Sequence, residues 1–254
     1  MITVGIDIGS VATKAAVVDD GQIVGKALLK TGTDPKAAAQ RALCLALEDA
    51  RLSEQRLPAV CTGYGRIAAP NGTRTITEIL AAARGAHHLV ASADAVIDLG
   101  GQDTKVIRLG PNGTVADFAM NDKCAAGTGR FLELMASALG VDLDRLGALA
   151  ETATSPARIN STCAVFAESE VVSLIARSVP EPDIAGGLFA AIAARVTALA
   201  GQLGTASRYA FIGGGAKSPA LKRALEARLS REIVVPANPQ FVVALGAALS
   251  ARES

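Results

Sequence analysis

Val4-Gly5-Ile6-Asp7-Ile8-Gly9-Ser10-Val11-Ala12-Thr13-Lys14 and Val96-Ile97-Asp98-Leu99-Gly100-Gly101-Gln102-Asp103-Thr104-Lys105 share one pattern. The offset that relates Asp7 to Asp98 (98 − 7 = 91) also relates Gly9 to Gly100, Thr13 to Thr104 and Lys14 to Lys105. Each copy reads as an apolar β run, a tight Asp-x-Gly turn and a second β run. A glycine turn then leads to a third run, over Gln22–Leu29 in the first copy and Thr114–Ala119 in the second. Such hairpin-rich segments form meanders.

Outward from the two meanders the period becomes helical. After the first come a helix over Asp34–Ala50, a strand over Ala59–Thr62 and a helix over Glu78–Val90. After the second come helices over Thr128–Leu139, Val165–Arg177 and Ile184–Leu203. A strand at Tyr209–Ile212, a helix at Ser218–Leu229, a strand at Ile233–Val235 and a closing helix at Pro239–Ala251 complete the chain. Two meander-plus-helix units predict two similar α/β domains facing a cleft. The first is expected over residues 1–94, with the C-terminal helix of 239–254 packed back on it, and the second over 95–238.

The turns carry phosphate chemistry. Gly9, Gly100 and Gly101 let backbone N–H groups approach an anion closely. Ser10, Thr13 and Thr104 add hydroxyls, and Lys14 and Lys105 add charge. Asp7 and Asp98, at strand ends, suit Mg²⁺ held directly or through water. A third cluster, Gly213-Gly214-Gly215-Ala216-Lys217, follows a strand and opens a helix, where an N-terminus meets a phosphate or nucleoside. It has neither the Walker A spacing nor the early βα position of a Rossmann fingerprint. Any one of these turns alone also suits a tight turn without a ligand.

Half of the 254 residues are apolar, 3% are aromatic and none is Trp, so the core is built from Ala, Val, Leu and Ile. With 25 basic and 24 acidic side chains the net charge is +1, which favours neither nucleic acid nor an anionic membrane. No signal peptide opens the chain and no uninterrupted apolar stretch approaches the roughly 20 residues of a spanning helix. A cytoplasmic location is expected, where the four cysteines are thiols, ligands or reactive groups rather than disulfides.

Cys44 and Cys61 fall within expected elements and read as small core hydrophobes. Cys124 and Cys163 sit in polar turns before helices, where a helix N-terminus favours a thiolate and Lys123 assists the first. Their separation of 39 residues (163 − 124) fits neither a zinc ribbon nor a bacterial ferredoxin. Two readings stand: ordinary buried thiols, or a four-thiolate site completed by a twofold dimer.

Six motifs decide further: Gly5–Ser10, Thr62-Gly-Tyr-Gly-Arg66, Ile97–Lys105, Met120-Asn-Asp-Lys-Cys-Ala-Ala-Gly-Thr-Gly-Arg-Phe-Leu-Glu133, Ser161-Thr-Cys-Ala-Val-Phe-Ala-Glu-Ser-Glu170 and Pro239-Gln240. On these the chain resembles the ATPase activators of 2-hydroxyacyl-CoA dehydratases and the related ATPase subunits of benzoyl-CoA reductases, over nearly its whole length. The resemblance implies a duplicated actin/hexokinase-like, ribonuclease H-like α/β ATPase with two domains around a nucleotide cleft. It implies ATP or ADP with Mg²⁺, and one 4Fe–4S cluster per homodimer, held by Cys124 and Cys163 of each subunit. It implies a dehydratase or aromatic acyl-CoA reductase as electron acceptor, and a ferredoxin or flavodoxin as donor.

The candidate catalytic residues are Asp7, Asp98 and Gln102. The candidate nucleotide residues are Gly9, Ser10, Thr13, Lys14, Gly100, Gly101, Thr104, Lys105, Gly213, Gly214, Gly215, Lys217 and Gln240. One departure is Gly213-Gly-Gly-Ala-Lys-Ser218, where Gly-Gly-Val-Ala-Lys-Asn is expected. Thr62–Arg66 has no physical role on sequence grounds, and His87-His88 reads as a solvated helix face. A small-molecule kinase shares every phosphate motif but needs a carboxylate base beside an acceptor hydroxyl, and none stands out. A scaffold or sensor that binds nucleotide without turnover is the third reading.

Overall fold

The computed structural model describes residues 1–53, 57–70, 73–161 and 163–253. Thr162, inside the second cysteine motif, and Ser254, at the end of the expected C-terminal segment, lie outside the described residues. The chain clusters into two compact units. One holds Met1–Val96, Ile107–Asp117 and Pro236–Ser254, and the other Ile97–Val106 and Phe118–Val235.

The first meander is β1 (Ile2–Ile8), β2 (Ala12–Asp19) and β3 (Gln22–Lys30). It is followed by α1 (Pro35–Asp49), β4 (Ala59–Thr62), β5 (Arg74–Thr75) and α2 (Glu78–Leu89). β1 is buried on both faces from Thr3 to Ile8, as its near-continuous apolar run requires of a central strand. β2 lies antiparallel beside it and β4 parallel on the other side, giving the order β3-β2-β1-β4-β5.

The second meander is β6 (Ala95–Leu99), β7 (Thr104–Leu109) and β8 (Val115–Asn121). Then come α3 (Gly129–Ala138), α4 (Leu143–Glu151), α5 (Ala164–Ala176), α6 (Glu181–Gly201), β9 (Arg208–Ile212), α7 (Pro219–Leu229), β10 (Glu232–Val234) and α8 (Val242–Ser250). Their sheet runs β10-β9-β6-β7-β8.

Among the described residues every element read from the sequence is present within a few residues, and one strand and one α-helix were not read. β5 is only two residues long. α4 is capped by Asp142, whose carboxylate accepts from Arg145 N, but Gly147 dilutes its helical signal. The closing helix begins later than expected, because Pro239–Phe241 form a 3₁₀ turn before Val242.

The Ala- and Gly-rich composition allows close approach where bulkier cores would hold elements apart. A Cβ on Gly5 of β1 would overlap the carbonyl of Ala244 in α8. In the packing of α2 on α8, a Cβ on Gly246 would overlap the Ala81 carbonyl and one on Gly85 the Val242 carbonyl. Both obstacles are helix backbone, which cannot swing aside. Gly246→Ala is therefore expected to destabilise the protein by about 1–3 kcal/mol. The check is a lower midpoint of urea unfolding at an unchanged slope.

α2 also answers the reading of His87-His88 as a merely solvated face. His88 is exposed, but its Nε2 lies 2.9 Å from Gly21 O in the β2–β3 turn. His87 is half-buried, and a Cβ on Gly113, in the turn before β8, would meet its Cβ and Cγ at 2.6 Å. Neighbouring histidines thus cover the glycine turns of both meanders.

By length and composition α6 is apolar enough to cross a membrane, although Arg195 interrupts its apolar run. Half of that stretch is buried inside the protein, where α6 packs against α4 and α7 as a core helix.

Candidate nucleotide turns and cysteine site

The first turn is set by strand register. In the β1–β2 pair Asp7 stands directly opposite Lys14, and Lys14 Nζ lies 3.0 Å from Asp7 Oδ2. Asp7 is only 7% exposed, so its charge is held by a named partner rather than by water. Thr13 is fully buried, with Oγ1 2.9 Å from Thr31 Oγ1, while the Thr31 hydroxyl donates to Gly9 O at 2.6 Å. Thr13 therefore braces the turn from inside, leaving Gly9 and Ser10 half-buried at its surface.

The second turn repeats the first and adds a carboxylate, Asp103, within the turn. Lys105 is 3% exposed and pairs with Asp103 at 2.7 Å, a carboxylate inside the turn itself. Gln102 is exposed at the tip. Gly100 N donates to Asp103 O, closing the turn. Thr104 is buried, and its hydroxyl donates to Gly127 O at 2.6 Å.

The glycine loops show a duplication that the first repeat did not reveal. Gly213 has φ +85, and a Cβ there would lie 2.6 Å from Asp98 Oδ1 and 2.5 Å from Leu99 O. Gly63 has φ +92, and its Cβ would lie 2.5 Å from Asp7 Oδ1 and 2.6 Å from Ile8 O. Gly215 and Gly65 repeat the match, packing on the side chains of Leu99 and Ile8. Thr62–Arg66, without a role on sequence grounds, is thus the counterpart of Ile212–Ala216. Each loop leaves a strand and rests against the aspartate of its own meander.

The signal in the sequence is Gly-x-Gly at an offset of 150 (213 − 63). The surplus over 91 (150 − 91 = 59) is an insertion in the second half, and both Cys124 and Cys163 fall between β8 and β9 there. Gly214 and Lys217 are exposed, and Gln240 lies in the 3₁₀ turn that opens α8.

Cys124 and Cys163 are exposed, Cys44 is half-buried and Cys61 fully buried, with burial pushing the Cys61 thiol up to about 12. Cys163 is the residue immediately before the first turn of α5. Cys124 differs from expectation, because it caps only the short 3₁₀ turn Ala125–Gly127, and α3 starts at Gly129. Asn121 fixes it from both sides. Its Nδ2 donates to Cys124 O at 2.8 Å, and Cys124 N donates to its Oδ1 at 3.2 Å.

The segment before Cys163 is anchored to α5. Glu170 accepts from Asn160 N, Asn160 Nδ2, Ser161 N and Ser161 Oγ. Burial works against the Glu170 charge, but the Ser161 hydroxyl and the Asn160 and Ser161 backbone outweigh it and hold the carboxyl below its ordinary value. This anchor is in place above the ordinary glutamate pKa and is lost as pH falls through the lowered one.

The second turn and the Cys124 segment are joined. Besides the Thr104 bond, Gly129 N donates to Gly100 O at 2.9 Å and Arg130 N to Gly101 O at 2.8 Å. A displacement of Gly100–Thr104 is therefore transmitted to residues 127–130, a few positions after Cys124. Among the described residues no cluster of three or more metal-ligating side chains forms within the chain. Two exposed thiols are an incomplete donor set for an iron–sulfur cluster, which takes four, and two copies of the chain supply that number.

Residues 4–251 match the BadF/BadG/BcrA/BcrD ATPase family. The chain belongs to this ATPase family. The motifs around Cys124 and Cys163 had pointed to it. The activator of lactoyl-CoA dehydratase of Anaerotignum propionicum is 43% identical, over 100% of this chain and 98% of that protein. The activator of the 2-hydroxyisocaproyl-CoA dehydratase from Clostridium difficile, solved with bound ADPNP, superposes with a TM-score of 0.93 at 38% identity. That match covers 100% of this chain and 95% of the other. A ROK family glucokinase from Streptomyces griseus aligns with a TM-score of 0.63 at 16% identity, over 100% of both chains. That likeness shows the shared actin/hexokinase-like fold and nothing of the substrate.

Proposed function

We propose that the chain is an ATP-hydrolysing activator that passes low-potential electrons to a 2-hydroxyacyl-CoA dehydratase or an aromatic acyl-CoA reductase. One 4Fe–4S cluster lies between two copies, held by Cys124 and Cys163 of each. The carrying observation is that these two cysteines are exposed in braced polar turns, and that the Cys124 segment is hydrogen-bonded to the Gly100–Thr104 turn. A cytosolic sugar kinase of this fold has no use for either feature.

In this reading Gly9, Ser10, Gly100, Gly101 and Gly213–Gly215 offer backbone groups to the phosphates and nucleoside. Lys217 and Gln240 complete the nucleotide contacts, and Asp7, Asp98 and Gln102 manage Mg²⁺ and the attacking water. Bound to the four cysteines, the cluster supplies a one-electron couple. The second copy is supported by α5, the helix that Cys163 precedes, where Val165, Phe166, Val172 and Ile175 are exposed. An apolar stripe of that kind is ordinarily covered. The electron donor is a ferredoxin or flavodoxin, and the setting is the cytoplasm.

Purification without oxygen tests the reading. A brown dimer with about two irons per chain and slow ATPase activity is expected. A colourless protein that phosphorylates a small metabolite would instead make it a kinase. Coupling gives a second measurement, the rate at which a chelator removes iron without nucleotide, with ADP and with a non-hydrolysable ATP analogue. The bonds from Gly100, Gly101 and Thr104 to residues 127–130 lead us to expect different rates in the three states. Equal rates would mean that nucleotide does not act through the cysteine site.

A further inference from the structure

Arg195 is the one charged side chain in the long apolar stretch Ile184–Gly201 of α6, and a guanidinium is kept in such a helix at a cost in solvation. Its Nη2 donates to Ser161 O at 2.6 Å, two residues before Cys163. Its guanidinium lies 5.4 Å from the ring centroid of Phe131, in the first turn of α3 after the Cys124 segment. The side chain lines a cavity of about 270 Å³ together with Cys124, Asn121, Gly127 and Thr104. Its Nη1 is buried and has no hydrogen-bond partner among the described residues. Burial pulls the guanidinium below its ordinary pKa, and the Cys124 sulfur opposes that pull.

A buried donor without an acceptor is costly and rarely kept without reason. The cysteine turns face this one from two sides, and among the described residues neither turn supplies an oxygen to Nη1. Cys124 lines the same cavity, and its sulfur is the acceptor that a ligand to a cluster would present there. We infer that Arg195 is a positioning residue for the cysteine site: it ties the Cys163 segment to α6 through Ser161, and its Nη1 is the donor reserved for the sulfur of Cys124 or of the cluster. The inference rests on the function proposed above.

Reduction adds one negative charge to a site already rich in thiolate, and a neighbouring cation favours that state. Charge and hydrogen bonds to sulfur are established levers on the potential of such clusters. Arg195 therefore raises the reduction potential and slows the loss of iron. The Arg fork serves two acceptors at once, which the single ammonium of Lys does not.

The test compares the parent dimer with Arg195→Gln and Arg195→Lys, all purified without oxygen and checked for an unchanged thermal midpoint. In Arg195→Gln the reduction equilibrium is expected to shift on the order of tenfold toward the oxidised form, which for one electron is about 59 mV. Chelation of iron is expected to quicken by on the order of tenfold. Arg195→Lys is expected to recover most of the potential but to keep the faster chelation. Should Arg195→Gln lose iron completely, the Lys variant carries the comparison. A parent-like potential and chelation rate in Arg195→Gln would overturn the inference while leaving the cluster in place. A parent protein without iron would instead defeat the proposed function itself.

Discussion

Cys124→Ser and Cys163→Ser are each expected to abolish bound iron, whereas Cys44→Ser and Cys61→Ala are expected to keep it. The expectation follows from where the four sulfurs sit. Only the first pair is exposed, and only exposed sulfurs can reach a second copy of the chain. Cys163 stands at the N-terminus of α5, on a segment that the Glu170 hydrogen bonds anchor. Cys61 is the opposite case, fully buried between strands with its thiol pushed up to about 12, so at neutral pH it holds its proton. Cys44 lies on α1 in the other compact unit from Cys124 and Cys163. The measurements are iron per chain and visible absorption in all four variants, prepared anaerobically. Because the proposed site takes two cysteines from each copy, each serine variant would leave a dimer with two ligands in place of four, and the loss is expected to be complete rather than graded. Iron retained in either serine variant, or lost in the Cys44 or Cys61 variant, reverses the assignment.

How much of this was legible in the sequence depended on how local the signal was. The Asp7 and Asp98 turns were readable because strand, turn and strand follow one another within about ten residues. The Asp7–Lys14 pair is also contained in that hairpin: a turn over 9–12 forces those two residues opposite each other. The braces of Thr13 and Thr104 were not readable, since their partners Thr31 and Gly127 lie 18 and 23 residues away. Both threonines looked like phosphate donors, and both hydroxyls are engaged inside the protein.

The loop Thr62–Arg66 had a recognisable pattern without a role, because its role is a tertiary contact with the end of β1. Its twin, Gly213–Gly215, was easier to read from its three consecutive glycines. Arg195 left a trace that went unread, a lone cation within an apolar helical run. A buried charge of that kind needs a partner, and the partners are in loops that sequence periodicity does not reach.

The other large effect concerns Asp7. Its carboxylate is held on one side by Lys14 at 3.0 Å, while Gly63 leaves the space that a side chain would take from Oδ1. A carboxylate held this way is organised before any ligand arrives, and preorganised charge is where electrostatic catalysis gains most. Asp7→Ala is expected to lower ATP turnover by on the order of 10²-fold or more. The alanine variant also strands Lys14, whose partner pair is largely shielded from solvent, so a loss of stability is expected alongside. Asp7→Asn separates the two effects: it keeps the shape and a contact to Lys14 but removes the charge that would hold Mg²⁺ or orient water. Turnover in Asp7→Asn is expected to fall about as far as in Asp7→Ala, with a smaller fall in thermal midpoint. The loss should appear in kcat more than in KM, because in the proposed site the backbone of the glycine turns, not Asp7, grips the phosphates. A folded Asp7→Asn protein hydrolysing ATP within about twofold of the parent rate would remove Asp7 from the catalytic set and leave it as a brace for Lys14. Asp98→Asn then becomes the next variant to measure, since Gly213 rests against Asp98 as Gly63 rests against Asp7.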